Sequence, residues 1–386
     1  MKRPVYLDYQ ATTPLDPEFL NKMLPYFHED FGNPSSSTHV YGWKAKSGVE
    51  YAREQIATGL HCSSHEITFT SGSTESNQIA ILGFVNQLPP KKTHLITTDV
   101  EHPSVLECFK YLESRGYLVS YLGVDSFGFI SLDDLKSAIT PQTKFISVIY
   151  GNNEIGTIQP ISEIGKIAKS KKIAFHTDAT QVFTKKKINV DEIGVDLLSM
   201  SAHKIYGPKG IGALFVRRKN PRINLSPLYH GGGQENGLRP GTLNVPAIVG
   251  FGFAVESGLL RQESIVLHIN QLSKNFLEKI KKECENVYLN GHPCDRVPGN
   301  VNLYIKGVSA QLLMSKLKDD LAFSTNSACS SIEGKTSHVL KAIGHTNKQI
   351  DQCIRLGIGK NTTQEEVSFA ADRLITEIKK IRTDSV

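Results

Sequence analysis

The chain is poor in the features that mark secreted, membrane-spanning or disulfide-stapled proteins. Its six cysteines in 386 residues (Cys62, Cys108, Cys284, Cys294, Cys329 and Cys353) form no CxxC pair. They are too few and too scattered for a disulfide scaffold, so a reduced, cytoplasmic compartment is expected, and no intrinsic metal site is expected. The longest uncharged apolar stretch, Ala247 to Val255, is too short to span a bilayer. At the N-terminus Asp8 interrupts the chain before an apolar run of signal-peptide length develops. Excess charge is small: 44 Lys plus Arg against 38 Asp plus Glu, or +6. The short clusters Lys185-Lys186-Lys187 and Arg217-Arg218-Lys219 read as solvated charge, so no direct nucleic-acid binding is expected. Internal repeats and low-complexity segments are absent too.

What is present is a core-forming composition, 39% hydrophobic and 21% charged, which excludes general disorder. From about residue 60 to 216, apolar strand-like runs alternate with amphipathic stretches. The strand candidates are Glu66–Thr70, His94–Thr98, Tyr117–Leu122, Lys144–Tyr150, Ile173–Thr177, Val195–Met200 and Ile211–Val216. Helical patterns cover Ser73–Asn86, Ser104–Arg115, Leu132–Ile139 and Ile161–Ser170. The alternation predicts an α/β fold with a mostly parallel sheet of seven strands. A long helical region from Pro246 to about Cys284 follows. Beyond it, strands at Val301–Ile305, Leu321–Thr325 and Cys353–Ile358 alternate with helices at Ser309–Lys318, Ser337–Ile343 and Gln364–Ile381. These predict a smaller α+β C-terminal domain. The first dozen residues fit either part.

Ligands of open α/β sheets sit at the carboxyl ends of strands, and those ends here carry reactive groups. Thr70-Ser71-Gly72-Ser73-Thr74 places Ser73 and Thr74 at a helix start, as a simple cap or as a phosphate cradle. It matches neither GxxxxGK[ST] nor GxGxxG. Asp178 follows a buried-looking strand, as a helix cap or as a partner for a protonated ring nitrogen. Lys204, in Ser201-Ala202-His203-Lys204, follows another; a lysine there has a steep desolvation cost and suits Schiff-base chemistry. His102, after Glu101, could stack on a ring and exchange protons near neutrality. Cys329 lies among small polar residues in a loop expected to be exposed, and Arg355 lies inside an apolar strand, where it needs an anionic partner. Cradle, strand-end acid and strand-end lysine, in that order, are what pyridoxal 5'-phosphate requires.

At this point the chain resembles the cysteine desulfurases of the iron–sulfur assembly type, a branch of the class V aminotransferase-like, fold-type I pyridoxal phosphate enzymes. The resemblance spans nearly the whole chain. It is carried by Tyr6-Leu7-Asp8-Tyr9-Gln10-Ala11-Thr12-Thr13-Pro14, Phe31-Gly32-Asn33-Pro34-Ser35, Asn152-Asn153-Glu154-Ile155-Gly156, Ser201 to Gly210 and His230-Gly231-Gly232-Gly233-Gln234. The resemblance implies a large cofactor-binding domain over residues 15–260 and a small domain of residues 1–14 and 261–386. It implies Lys204 as the lysine bonded to the cofactor's aldehyde, Asp178 on the pyridine nitrogen and Gln181 facing the phenolic oxygen. His102 would stack on the ring, and Ser73, Thr74, Ser201 and His203 would surround the phosphate. Thr242 would reach the neighbouring subunit's phosphate, which implies a homodimer with shared active sites. Asn153 and Arg355 would hold the carboxylate of L-cysteine. Cys329 would take its sulfur as a persulfide, releasing L-alanine, with His102 handling the thiol protons. The implied acceptor is an iron–sulfur scaffold, with Cys329 as a transient cluster ligand, or a relay protein for thiolation. Selenocysteine lysis and transamination are alternatives on the same fold, although a transaminase has no use for Cys329. A non-catalytic binding partner would have no use for the four reactive groups together.

Overall fold

The computed structural model describes residues 3–325 and 336–384. After a short β1 (Val5–Tyr6), the chain lays down β2 (Ile67–Thr70), β3 (His94–Thr98), β4 (Leu118–Leu122), β5 (Thr143–Ser147), β6 (Ala174–Asp178), β7 (Leu197–Ser201) and β8 (Gly212–Val216). These seven form one sheet in the order β2-β8-β7-β6-β5-β3-β4. Only β8 runs antiparallel to its neighbours, β2 and β7; the other pairings are parallel. Residues of β2, β3, β6, β7 and β8 are buried throughout, as expected of strands covered on both faces. The expected mostly parallel seven-stranded sheet is therefore present.

The covering helices follow from local sequence. Helix Ile161–Ser170 buries Ile161, Ile164, Gly165 and Ala168, the spacing of one helical face. Helix Pro103–Ser114 begins with Pro at its first position, where the missing N–H costs nothing, and is capped by the His102 side chain. Helix Val40–Leu60 was not anticipated. It buries Ala45, Val49, Ala52, Ile56 and Leu60 and packs against helix Val245–Leu260, where a side-chain carbon at Gly252 would fall 2.6 Å from the Ala52 backbone. The long region after Pro246 is two helices, since the Arg261 backbone departs from helical geometry between Leu260 and Gln262.

The C-terminal part holds an antiparallel sheet of β9 (Val287–Leu289), β10 (Asn300–Ile305), β12 (Ser324–Thr325) and β13 (Cys353–Gly357), in the order β12-β13-β10-β9. The stretch expected as one strand, Leu321–Thr325, is divided. Leu321–Ala322 (β11) pairs in parallel with β1, whereas β12 joins β13. The first residues accordingly serve both parts: Leu7 is buried in the C-terminal core and Tyr9 in that of the large sheet. No helix of the described residues is long and apolar enough to cross a membrane.

Candidate active site

Because β2, β3, β6 and β7 are mutually parallel, Thr70, Thr98, Asp178 and Ser201 come out along one edge of the sheet. At the end of β2 the backbone turns at Gly72, whose φ of 151° is open to glycine. The turn delivers Ser73 and Thr74 to the first positions of helix Ser73–Val85, whose leading N–H groups lack intrahelical partners. With Thr12, Gly72, Ser201, His203 and Lys209, they line a cavity of about 320 Å³. Helix dipole, hydroxyls and the Lys209 ammonium make it suited to a phosphate. Burial, reinforced by Lys204 and Lys209, pushes the His203 imidazole down to about 4, so it stands neutral, with Nδ1 3.1 Å from Thr12 Oγ1.

Asp178 ends β6 and is buried. Its Oδ1 accepts the Thr180 N–H (3.0 Å) and its Oδ2 accepts an N–H of the Asn77 amide (2.8 Å). Asn77 also donates to Ser104 Oγ (2.9 Å), which lies 2.7 Å from His102 Nδ1. Asp178 and His102 are thereby joined through two residues that the sequence reading did not single out. Burial lowers the affinity of His102 for a proton; Lys204 and His338 act in the same sense and Asp178 against it. Lys204 follows β7, and its Nζ donates to the carbonyls of Gln10 (2.5 Å) and Ala11 (2.7 Å). Its amine is pushed down to about 8, first by burial and then by Arg355 and Lys185, with Asp178 and Asp8 opposing. A lysine so tuned supplies free amine near neutral pH.

Among the described residues, buried oxygens stand unpartnered on Gln10, whose carbonyl holds Lys204, on Thr180, whose N–H holds Asp178, and on Gln181: Gln10 Oε1, Thr180 Oγ1 and Gln181 Oε1. Gln181 Nε2 is engaged with the Gln10 carbonyl (3.0 Å). Unsatisfied buried oxygens beside a lysine, a carboxylate and a phosphate-sized cavity fit a polar, phosphorylated aldehyde cofactor. By contrast, a larger concavity of about 760 Å³ beside Lys144 and Ala174, at the amino ends of β5 and β6, is lined by none of the expected site residues.

Not every expected residue is placed here. Arg355, buried in β13, is bonded to Asp8 Oδ1 (2.9 Å), Ser324 Oγ (3.2 Å) and the Asn153 carbonyl (3.3 Å), while its Nε has no partner among the described residues. Its expected proximity to Asn153 is thus present, but its guanidinium already holds a carboxylate of its own chain. Thr242 is exposed and does not line the phosphate-sized cavity. Its segment is anchored by Glu235, which accepts from Arg53 (2.8 and 2.9 Å) and from the Phe69 N–H (2.7 Å). Cys329 lies outside the described residues. The sequence reading missed Asn77, Ser104 and Asp8. For Asn77 a signal existed: Ser76 and Asn77 are polar in a helix that is otherwise apolar along its buried face.

Residues 5–369 match the model of the aminotransferase class-V family. A cysteine desulfurase IscS of Rickettsia massiliae is 47% identical over 379 residues, which is 98% of this chain and 92% of that protein. Among solved structures, a NifS-like protein aligns with a TM-score of 0.91 and 33% identity over 98% of this chain and 100% of its own. SspA in complex with cysteine aligns with a TM-score of 0.82 and 37% identity over 94% and 100%.

Proposed function

This chain belongs to the class-V aminotransferase family and is a pyridoxal 5'-phosphate-dependent cysteine desulfurase, similar throughout to the IscS proteins; on that premise we propose which of its residues perform the conversion of L-cysteine to L-alanine. The observation that carries the assignment is the convergence of Asp178, Lys204, His102 and the serine-threonine cradle along one sheet edge. Ser73, Thr74, Ser201 and His203 would hold the cofactor's phosphate, Asp178 its ring nitrogen and Gln181 its phenolic oxygen, with His102 in contact with the ring. Bound there, the cofactor supplies an aldehyde that condenses with amines and a ring that accepts the electron pair released at the substrate Cα.

The remaining steps belong to the protein. Arg355 and Asn153 orient the substrate carboxylate. Lys204 Nζ, whose lowered hold on its proton raises the fraction of free amine, takes the Cα proton. The Cys329 thiolate attacks the substrate sulfur; the new S–S bond forms as the C–S bond breaks, and that bond's electron pair stays with the carbon skeleton, which is protonated to alanine. His102 stands beside the sulfur and supports it as it becomes a thiolate. We read residues 15–260 as the cofactor domain and residues 1–14 with 261–386 as the smaller one.

A homodimer is supported by exposed aromatic side chains, Phe27, Phe31, Tyr41 and Trp43, with the Phe31 and Tyr41 rings 5.3 Å apart. In that dimer the exposed Thr242 would serve the partner's site. Cytoplasmic sulfur delivery to an iron–sulfur scaffold or a thiolation relay completes the reading. The test is incubation of the purified enzyme with labelled L-cysteine and mass spectrometry. The expected products are labelled alanine and one added sulfur on Cys329, both abolished in Lys204→Ala together with the absorbance band of the lysine-bound cofactor. Alanine without any adduct on Cys329 overturns the assignment of that thiol.

A further inference from the structure

We propose that Ser104 is a positioning residue that, through Asn77, lets the Asp178 carboxylate hold His102 as the neutral imidazole protonated on Nε2. The inference deepens the reading of Asp178 and His102 as cofactor-site residues. It follows from the direction of four hydrogen bonds.

Asn77 Nδ2 lies 2.8 Å from Asp178 Oδ2 and 2.9 Å from Ser104 Oγ. An amide nitrogen has two hydrogens, so both are used. The reversed amide is excluded, because it would set Oδ1 against the carboxylate; Oδ1 is instead buried without a partner among the described residues. Ser104 Oγ therefore accepts from Asn77 and turns its own hydrogen to His102 Nδ1 at 2.7 Å. The Ser104 backbone N–H points at the same nitrogen from 3.1 Å. With two donors aimed at it, Nδ1 carries no proton, and the ring's single proton sits on Nε2, which no hydrogen bond of the described residues engages. The backbone donor comes with the helix cap, but the hydroxyl comes only with serine at position 104. His102 thus meets whatever lies beyond Nε2 as a hydrogen-bond donor, which suits a developing thiolate sulfur. The expectation that it accepts the thiol proton is narrowed accordingly: Nδ1 is closed and Nε2 is already protonated.

Protonating His102 requires breaking the Ser104 contacts. The charged and titratable groups around it, Asp178 from β6, Lys204 after β7 and His338 from the C-terminal part, are untouched by substitution of Ser104. The test uses the holoenzyme labelled with nitrogen-15 histidine, with the His102 signals identified by their loss in His102→Gln. The wild type is expected to show a protonated Nε2 and a bare Nδ1. In Ser104→Ala the pKa of His102 should rise by about one pH unit, the equivalent of one lost hydrogen bond to the neutral form, and the acidic limb of kcat should move up by the same amount. Ser104→Thr should restore both. A wild-type proton on Nδ1, or a Ser104→Ala titration superimposable on the wild type, overturns the proposal. Because the tautomer is read directly in the wild type, the result stands whether or not the alanine variant folds well. It is also separate from the labelled-cysteine outcome, on which the reading of the site depends.

Discussion

Two strands of this protein each bury a charge, and they treat it differently. Asp178 ends β6 and Arg355 occupies the middle of β13, both strands being buried at every position. The partners of Asp178 are neutral dipoles, the Asn77 amide and the Thr180 N–H. Arg355 is held by an opposite charge, Asp8. Neutral donors stabilise a carboxylate without cancelling it, so Asp178 keeps its own negative charge at the end of β6, available to a cationic ring nitrogen. The guanidinium in the small sheet is already neutralised and must share or release Asp8 to take a substrate carboxylate, with its Nε, unpartnered among the described residues, as the open donor. The cofactor end is preset, while the substrate end involves an exchange of partners.

The sharpest way to break this contrast is to remove the uncancelled charge. Asp178→Asn keeps an acceptor for the Thr180 N–H but leaves nothing to hold a protonated ring nitrogen, so kcat for alanine release should fall by about 10²–10³-fold, the scale of losing one preorganised electrostatic contact. An unchanged kcat would show that the charge is not used. At the other end, Asp8→Asn tests the exchange. With its competitor neutralised, Arg355 should bind substrate more tightly, lowering KM several-fold at nearly constant kcat. The same change should reduce unfolding free energy by about 1.5–3 kcal/mol, the worth of a hydrogen bond to a charged group. A raised KM would instead make Asp8 the residue that orients Arg355.

The smallest expected effect concerns Lys204 in the cofactor-free protein. Its folded value of about 8 lies below the ordinary 10.5, so the folded state binds fewer protons than the unfolded one between those values, and stability rises with pH across that window. Below pH 8 both states are charged and the burden of burying the ammonium is fully present. Lys204→Met should flatten that rise in thermal unfolding midpoints between pH 8 and 10. An identical slope in the variant would assign the rise to other groups, Lys185 first, which burial also pushes down to about 8.

Much of the large sheet was legible because its signals are local. Short apolar runs between helical spacings marked all seven strands, and helix Ile161–Ser170 matches the reading at both ends. Helix Val40–Leu60 escaped because Gly42, Ala45, Gly48 and Ala52 look unlike an apolar stripe, although Ala52 meets Gly252 of helix Val245–Leu260 at close range. The division of Leu321–Thr325 between two sheets was equally hidden: nothing within five residues encodes that β1 and β13 compete for them. Within the site, Lys204, Asp178 and His102 were found because a polar group at the end of an apolar strand is locally conspicuous. Asn77, Ser104 and Asp8 were not, because serine, asparagine and aspartate near helix starts and loops are unremarkable until their neighbours are known.

The amino-acid sequence by itself determined the α/β layering, the inventory of reactive groups and their arrival at strand ends, since hydrophobic periodicity and strand direction are properties of short segments. Tertiary structure alone decided how those groups are partnered. Asp8 meets Arg355 across 347 positions and Asn77 meets Asp178 across 101. Hydrogen bonds act over about 3 Å and depend on angle, so which charge is cancelled, which is left open and which nitrogen of an imidazole carries the proton are settled only when the packed backbone brings distant donors and acceptors face to face.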